Sequence, residues 1–206
     1  MNLKFEQLPE EKRQRIINAA LEVFSKSDYK RASTDLIAAK AEISKGLLFH
    51  YFENKRSLYL YLVQYMTKEI SGKIVDQDFW SITDFFELLA YSERQKMRLL
   101  ARNPYLLNFS VRFFYESHKD VEEQVNAFSQ ERMQQIPSDY FGRIDRSKFR
   151  DGMTPERILH MLLWMTDGYM HQQLCLGRPI CIDQLIAEYR QWLKMFRQIA
   201  YEEEYQ

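Results

Sequence analysis

The sequence predicts an all-α fold of about nine helices, on three observations. Apolar residues recur at steps of three and four along most long stretches, as in Ile16, Ala20, Val23 and Phe24. Only 6 glycines and 5 prolines punctuate 206 residues, which suits long helices and few turns. Helix-start chemistry stands ahead of several of these stretches, most plainly at Thr154-Pro155-Glu156, a cap followed by proline and an acid. With 46% hydrophobic and 15% aromatic residues, the chain can bury a sizeable core.

Residues 1–8 read as a frayed, mobile arm carrying Lys4. Pro9 or Glu10 opens the first helix, with Glu10 and Glu11 where the helix dipole favours acids. Its cations Lys12, Arg13 and Arg15 read as a solvated face or, alternatively, as phosphate contacts, and Ser27-Asp28 ends it. From Ser33 to Lys55 the chain reads as a helix, a tight turn and a short second helix. Ser33 or Thr34 supplies the first cap, and Leu36, Ile37 and Ala38 give a small apolar face. Ala41, Glu42 and Ile43 make the turn, with Ile43 as the plug between the helices. Ser44 caps the second helix, which carries Lys45, Gly46, Leu47, Leu48, Phe49, His50 and Tyr51. Two helices joined this way, the second short and rich in donors, can present a helix end to the DNA major groove. The same pattern also describes an ordinary helical hairpin.

Asn54 starts a further helix, with Lys55 in its first turn and Leu58, Leu62, Tyr65, Met66 and Ile70 along one side. Residues 75–81 read as a connection. A helix over Ile82–Arg102 stops before Asn103-Pro104, and another follows from Pro104 to about Ser117. One more starts near Asp120 with Val121, Val125 and Phe128, and must bend or stop at Pro137. Residues 138–153 read as a polar loop with short helical pieces. The helix from Thr154 ends at Gly177 and Pro179, and Asp183 caps the last one, with an apolar stripe from Ile182 to Ile199. These two final helices are apolar over more surface than one small bundle covers. They are either core throughout or one half of a four-helix interface with a second copy.

No run approaches 18 consecutive apolar residues, so no membrane span is predicted, and the N-terminus lacks the apolar run of a signal peptide. Cys175 and Cys181 are too few for a disulfide framework, and a reducing cytoplasm is the simpler setting. Net charge is zero, but residues 1–56 hold 11 Lys and Arg against 8 Asp and Glu. A modestly basic head on a modestly acidic body fits nucleic-acid binding through a local patch. Glycine-rich phosphate loops, His-Glu-x-x-His and a nucleophile elbow are all absent from the sequence, so no catalytic residue and no cofactor are assigned. His160, Asp167 and His171 fall on one helical face, where an Asp167–His171 helical pair is the simpler reading than a metal site.

Ile16 to Leu62 resembles the N-terminal domain of the tetracycline-repressor (TetR) family. The resemblance rests on Ile16, Ala19, Ala20, Phe24, Tyr29, Thr34, Ile37, Ala38, Ile43, Ser44, Lys45, Gly46, Leu48, Phe49, Phe52, Lys55 and Leu58. It implies a three-helix helix-turn-helix DNA-binding domain over residues 1–55. Residues 56–206 would form a helical effector-binding and dimerisation domain. Three positions depart from the family pattern. Asp28 and Glu42 stand where glycine is usual, and Phe49 stands where a tyrosine is usual, with Tyr51 retaining a hydroxyl nearby.

The implied DNA-binding residues are Thr34, Ser44, Lys45, Gly46, Leu47, Phe49, His50, Tyr51 and Lys55. Thr34 would meet a phosphate and Lys45 a base edge. Gly46 would let the backbone approach, and Leu47 would touch a thymine methyl. Tyr51 and Lys55 would clamp phosphates. The family further implies a homodimer through helices 154–176 and 182–203, a near-palindromic operator and a small, apolar effector that releases a repressor. Arg98, Tyr105, Asn108, Phe109, Phe113, Trp164, Tyr169 and Gln172 are candidates to line the effector pocket, although each aromatic alone also reads as core. Two other readings compete: a helix-turn-helix protein controlled by a protein partner, and a helical enzyme or lipid carrier.

Overall fold

The computed structural model describes residues 3–127, 141–178 and 180–206. Phe128, Pro137, residues 138–140 and Pro179 lie outside the described residues. The fold is all-α, and the described residues form no strand beyond one isolated bridge between Phe149 and Tyr201. Two compact units emerge, one from residues 1–76 with 94–135, the other from 77–93 with 136–206.

The first unit holds α1 (Leu3–Glu6), α2 (Glu10–Lys26), α3 (Thr34–Lys40), α4 (Lys45–Phe52) and α5 (Lys55–Ile74). Its core is built on α2, whose Ile16, Ile17, Ala20, Leu21 and Phe24 are buried. Against them pack Ile37 and Ala38 of α3, Leu48 and Phe52 of α4, and Leu58 and Leu62 of α5. Helix α7 (Phe85–Arg102) contributes Leu99 and Leu100, and α8 (Pro104–Phe114) contributes Leu106, Phe109 and Phe113. Asn103 caps α8 by accepting from the Leu106 amide at 3.1 Å. Asn54 does the same for α5, accepting from Ser57 N at 2.8 Å.

The N-terminal arm is not frayed. Residues 3–6 form α1, and Phe5 is 1% exposed, with ring centroids 4.6 Å from Phe52 and 5.1 Å from Tyr61. One turn of helix cannot hold itself. Phe5 holds it, with Tyr61 Oη donating to Glu6 Oε1 at 3.1 Å and Arg13 Nη1 donating to Glu6 O at 3.1 Å. The end of α2 also differs from the family-based expectation. Ser27 leaves the helix in an extended conformation, and Asp28 is not left-handed, so no glycine is needed there. Asp28 caps the following turn by accepting from the Arg31 amide at 2.8 Å.

In the second unit, the connection expected over 75–81 contains α6 (Gln77–Ser81), with Phe79 buried. The Arg143 guanidinium lies 4.8 Å from the Phe79 ring and 4.7 Å from Trp80, and Arg143 Nε donates to Ile82 O at 3.0 Å. That lid of cation and carbonyl bonds makes a short helix worth forming. Helix α7 starts at Phe85, not Ile82, because Asp84 caps it from the Glu87 amide. Burial pushes the Asp84 carboxyl up, but the Glu87 amide and the Lys148 ammonium at 2.9 Å outweigh it and hold the group below the usual carboxylate range.

Two long helices follow, α9 (Pro155–Cys175) and α10 (Ile182–Ala200). Thr154 caps α9 from the Arg157 amide. Gly177, at φ +64°, closes it, with Gly177 N and Arg178 N each donating 2.9 Å to the carbonyls of Leu174 and Gln173. Asp183 lies inside the first turn of α10, and Cys181 occupies the cap position without a side-chain bond. The last helix ends at Ala200 and not at 203. Tyr201 turns inward, fully buried against Phe86 and Phe149, and accepts from the Phe85 amide at 3.2 Å. Arg150 N donates to Ala200 O and Glu202 N to Lys148 O, which stitches the bridge shut.

Candidate nucleic-acid interface

Helices α3 and α4 are each set by a serine. Ser33 Oγ accepts from Leu36 N at 3.3 Å, and Ser44 Oγ accepts from Leu47 N at 3.1 Å. The Ala41–Glu42–Ile43 turn between them is closed by Ile43 N donating to Ala38 O at 3.0 Å. Glu42 sits at φ +55°, the left-handed region that favours glycine. Arg15 of α2 compensates. Its Nε donates to Ala41 O at 3.0 Å and its Nη1 lies 3.5 Å from Glu42 Oε2. Arg15 is therefore a staple on the turn, a role that its place in a run of basic residues did not reveal. Glu42→Gly is expected to raise stability by roughly 0.5–1 kcal/mol, the relief of a left-handed side chain less an exposed ion pair. A loss of stability on urea unfolding would mean that the Arg15 contact outweighs the strain.

Helix α4 divides cleanly. Leu48, Tyr51 and Phe52 point into the core, and Lys45, Gly46 and His50 are exposed, with Leu47 and Phe49 half-buried between. Ser44 is exposed at its cap, and Thr34 is half-buried at the first position of α3. A Cβ added at Gly46 would meet only Ser44 Oγ, at 4.0 Å. Packing thus does not demand glycine there. Lys45 Nζ lies 2.9 Å from Asp35 Oδ2 in the first turn of α3. Tyr51 is 6% exposed, its ring 5.8 Å from Phe5.

Lys55 turns toward the protein. Its Nζ donates to Lys30 O at 3.2 Å and sits 5.0 Å from the Tyr29 ring centroid. Burial pushes its pKa down from the usual lysine range. It borders an open cleft of about 320 Å³ together with Lys30, Arg56 and His118. A clasp of backbone bonds holds the loop ahead of α3. Arg112 Nε donates to Ser25 O at 2.7 Å, Arg56 Nε donates to Asp120 O at 2.6 Å, and Glu116 accepts from the amides of Tyr29 and His118. Side chains that bond to distant carbonyls and amides leave no periodic trace, so this clasp cannot be read from residue spacing.

The candidate effector residues divide between the units. In the first, Phe109 and Phe113 are fully buried against Tyr59, at 5.3 and 6.4 Å. Tyr105 is half-buried under Lys26 Nζ at 5.4 Å, and Arg98 and Asn108 are exposed. In the second, Trp164 is 64% exposed and stacks on His160, Tyr169 is half-buried and Gln172 is exposed. His171 Nε2 lies 3.3 Å from Cys175 Sγ. Among the described residues, no three His, Cys, Asp or Glu side chains gather as a metal site, and no helix is long and apolar enough to cross a membrane.

Residues 16–62 match the model for bacterial regulatory proteins of the tetR family. The HTH-type transcriptional activator FasR of Mycolicibacterium smegmatis is 32% identical over 118 residues, covering 51% of this chain and 52% of that protein. The chain spans about half the length of the curated relatives it matches. Among solved structures, the fatty acid degradation regulator FadR from Bacillus halodurans superposes with a TM-score of 0.66 at 17% identity, over 89% of this chain and 97% of that one. FadR from Bacillus subtilis, solved in complex with stearoyl-CoA, superposes at 0.62 with 19% identity, over 88% and 96%. At such identities the structural likeness establishes the fold alone.

Proposed function

We propose a function from the premise that the chain belongs to the tetR family of bacterial regulatory proteins, whose model matches residues 16–62. It is a DNA-binding transcriptional regulator, a repressor that binds a near-palindromic operator as a homodimer and is released by a small apolar effector. Residues 1–55 act as the DNA-reading head and residues 56–206 as the effector-binding and dimerisation body. The observation that carries this reading is α4. Three of its residues are buried as an anchor, Lys45, Gly46 and His50 are exposed on the other side, and Lys45 lies against the first turn of α3. Ser44 and Thr34 would meet phosphate at the two helix starts. The open backbone at Gly46 would admit a close approach, and Leu47 and Phe49 would give the apolar contact. Lys55 would reach a phosphate only by giving up the Lys30 carbonyl, and Tyr51 only through its hydroxyl edge. The stearoyl-CoA held by one structural neighbour supports an apolar effector class, and release would follow if the effector binds the non-operator arrangement more tightly.

In vitro selection from a random duplex library with the full chain tests the head. Recovery of a two-half-site, near-palindromic sequence is expected. Lys45→Ala should then cost about 1–3 kcal/mol on the selected operator and relax choice at one position per half-site. An equal loss on every sequence would remove Lys45 from base reading and make it a phosphate contact.

A further inference from the structure

Two non-glycine residues among those described take a positive φ, Glu42 at +55° and Glu53 at +60°, and they bracket α4. Glu53 is held locally, its amide donating to Phe49 O at 2.8 Å. Glu42 is held from another helix. Arg15 of α2 donates from Nε to Ala41 O at 3.0 Å, while its Nη1 lies 3.5 Å from Glu42 Oε2. The ion pair is exposed, at 38% for Arg15 and 73% for Glu42, so it contributes little by itself. The carbonyl bond is the larger part. Ala41 is fully buried, and among the described residues no other side chain or loop amide donates to its carbonyl.

We infer that Arg15 is a positioning residue for DNA reading, which sets α4 through the turn and touches no DNA itself. This rests on the DNA-reading assignment of the head. The core of the unit is built on α2, so Arg15 ties the turn to its most fixed helix. Without the guanidinium, the Ala41 carbonyl is buried and unpaired, and Glu42 keeps an unfavourable backbone conformation with nothing to hold it. The turn relieves both losses by opening to water, and that movement displaces the first turn of α4, which carries Lys45 and Gly46. A base edge offers acceptors in fixed positions, so reading it depends on this placement. Contact with phosphates depends on charge and tolerates the shift. A glycine at 42 would adopt the positive φ freely and, lacking a side chain, would leave the carbonyl open to water. This chain has a glutamate there, and so its reading depends on Arg15.

The test uses full-length protein, the operator recovered by selection, and an unrelated duplex of the same length. Affinities are measured by fluorescence anisotropy over a range of salt, and urea unfolding shows that each variant is folded under the assay conditions. Arg15→Met keeps the aliphatic stem and removes every donor. Operator affinity should fall roughly five- to fiftyfold, the worth of one buried unpaired carbonyl expressed as an affinity ratio. Affinity for the unrelated duplex and its salt slope should stay as in the wild type, because no phosphate contact is lost. Arg15→Lys keeps the charge but not the planar fork that serves the carbonyl and Glu42 together, so it should lose discrimination nearly as far. It also carries the test if Arg15→Met does not fold. Glu42→Gly on either background should recover most of the discrimination. The inference is overturned if the Arg15 variants lose stability while the folded protein discriminates as before, or if Glu42→Gly restores nothing. An equal loss on both duplexes, with a salt slope lower by about one, overturns it too and makes Arg15 a phosphate contact. If the wild-type chain retains no duplex from the library, the DNA-reading assignment itself fails and this inference falls with it. If an operator is recovered and the Arg15 variants discriminate as the wild type does, the Arg15 role fails alone.

Discussion

Phe5→Ala is expected to destabilise the first unit by about 3–5 kcal/mol, the range for truncating a buried phenylalanine. Phe5 is 1% exposed and touches three rings, those of Tyr51, Phe52 and Tyr61, on two different helices. Its loss removes the burial term and leaves a hole that α4 and α5, already fixed on α2, cannot easily collapse to fill. The four-residue α1 has no other apolar anchor among its described side chains, so it should detach as a whole. Urea unfolding gives the magnitude. Amide hydrogen exchange assigns it to the first unit, where α1 and the last turn of α4 should exchange fastest. A cost below about 1 kcal/mol would mean that the arm contributes little and is frayed in solution. Because Tyr51 and Phe52 anchor the buried side of α4, the same variant should also weaken binding to the proposed operator, although Phe5 is not itself assigned to DNA.

What the sequence revealed and what it concealed follow from the range of the interactions involved. Ser33, Ser44, Asn103 and Thr154 cap helices whose first amides lie three residues away, and a local pairing of that kind can be read from spacing. The helix-turn-helix is legible for the same reason: its turn, its plug and its caps lie within 12 residues of chain. Phe5 is different. Its partners stand at 51, 52 and 61, and no local pattern connects them to a polar arm. Tyr201 similarly reaches back to Phe85 and Phe86, which is why the last helix stops three residues early. Arg15, Arg112 and Glu116 bond to backbone groups, whose identity the sequence does not encode. Glu42 was legible as a departure from glycine, and its positive φ is what that departure entails. Asp28 was the reverse case: the chain leaves α2 through an extended Ser27, so the conformation that would have wanted glycine never arises.

If the chain is the homodimer proposed above, Ile199→Glu is expected to convert it into a folded monomer and to lower affinity for the proposed operator about 100-fold or more. Within the second unit, Ile158 and Leu162 of α9 and Leu193, Phe196 and Ala200 of α10 are buried. The same two helices leave Trp164, Leu174, Met195 and Ile199 exposed, with Ile182, Leu185, Ile186, Tyr189 and Trp192 only partly covered. Several large apolar side chains left exposed along the same two helices are the mark of an interaction site. In a two-fold interface each substitution enters twice, so a carboxylate at 199 would place two unpaired charges in an apolar seam. At 46% exposure, Ile199 contributes little to the monomer's own core, and helix content should survive. Native mass spectrometry counts subunits for both proteins, and it weighs any small apolar molecule that the wild type retains. Anisotropy then reads the loss of the second half-site, because two linked heads gain orders of magnitude over one. A variant that stays dimeric would move the interface off this face. A monomeric wild type at micromolar concentration would remove the two-half-site model altogether, and the operator would then have to be sought as a single, asymmetric site.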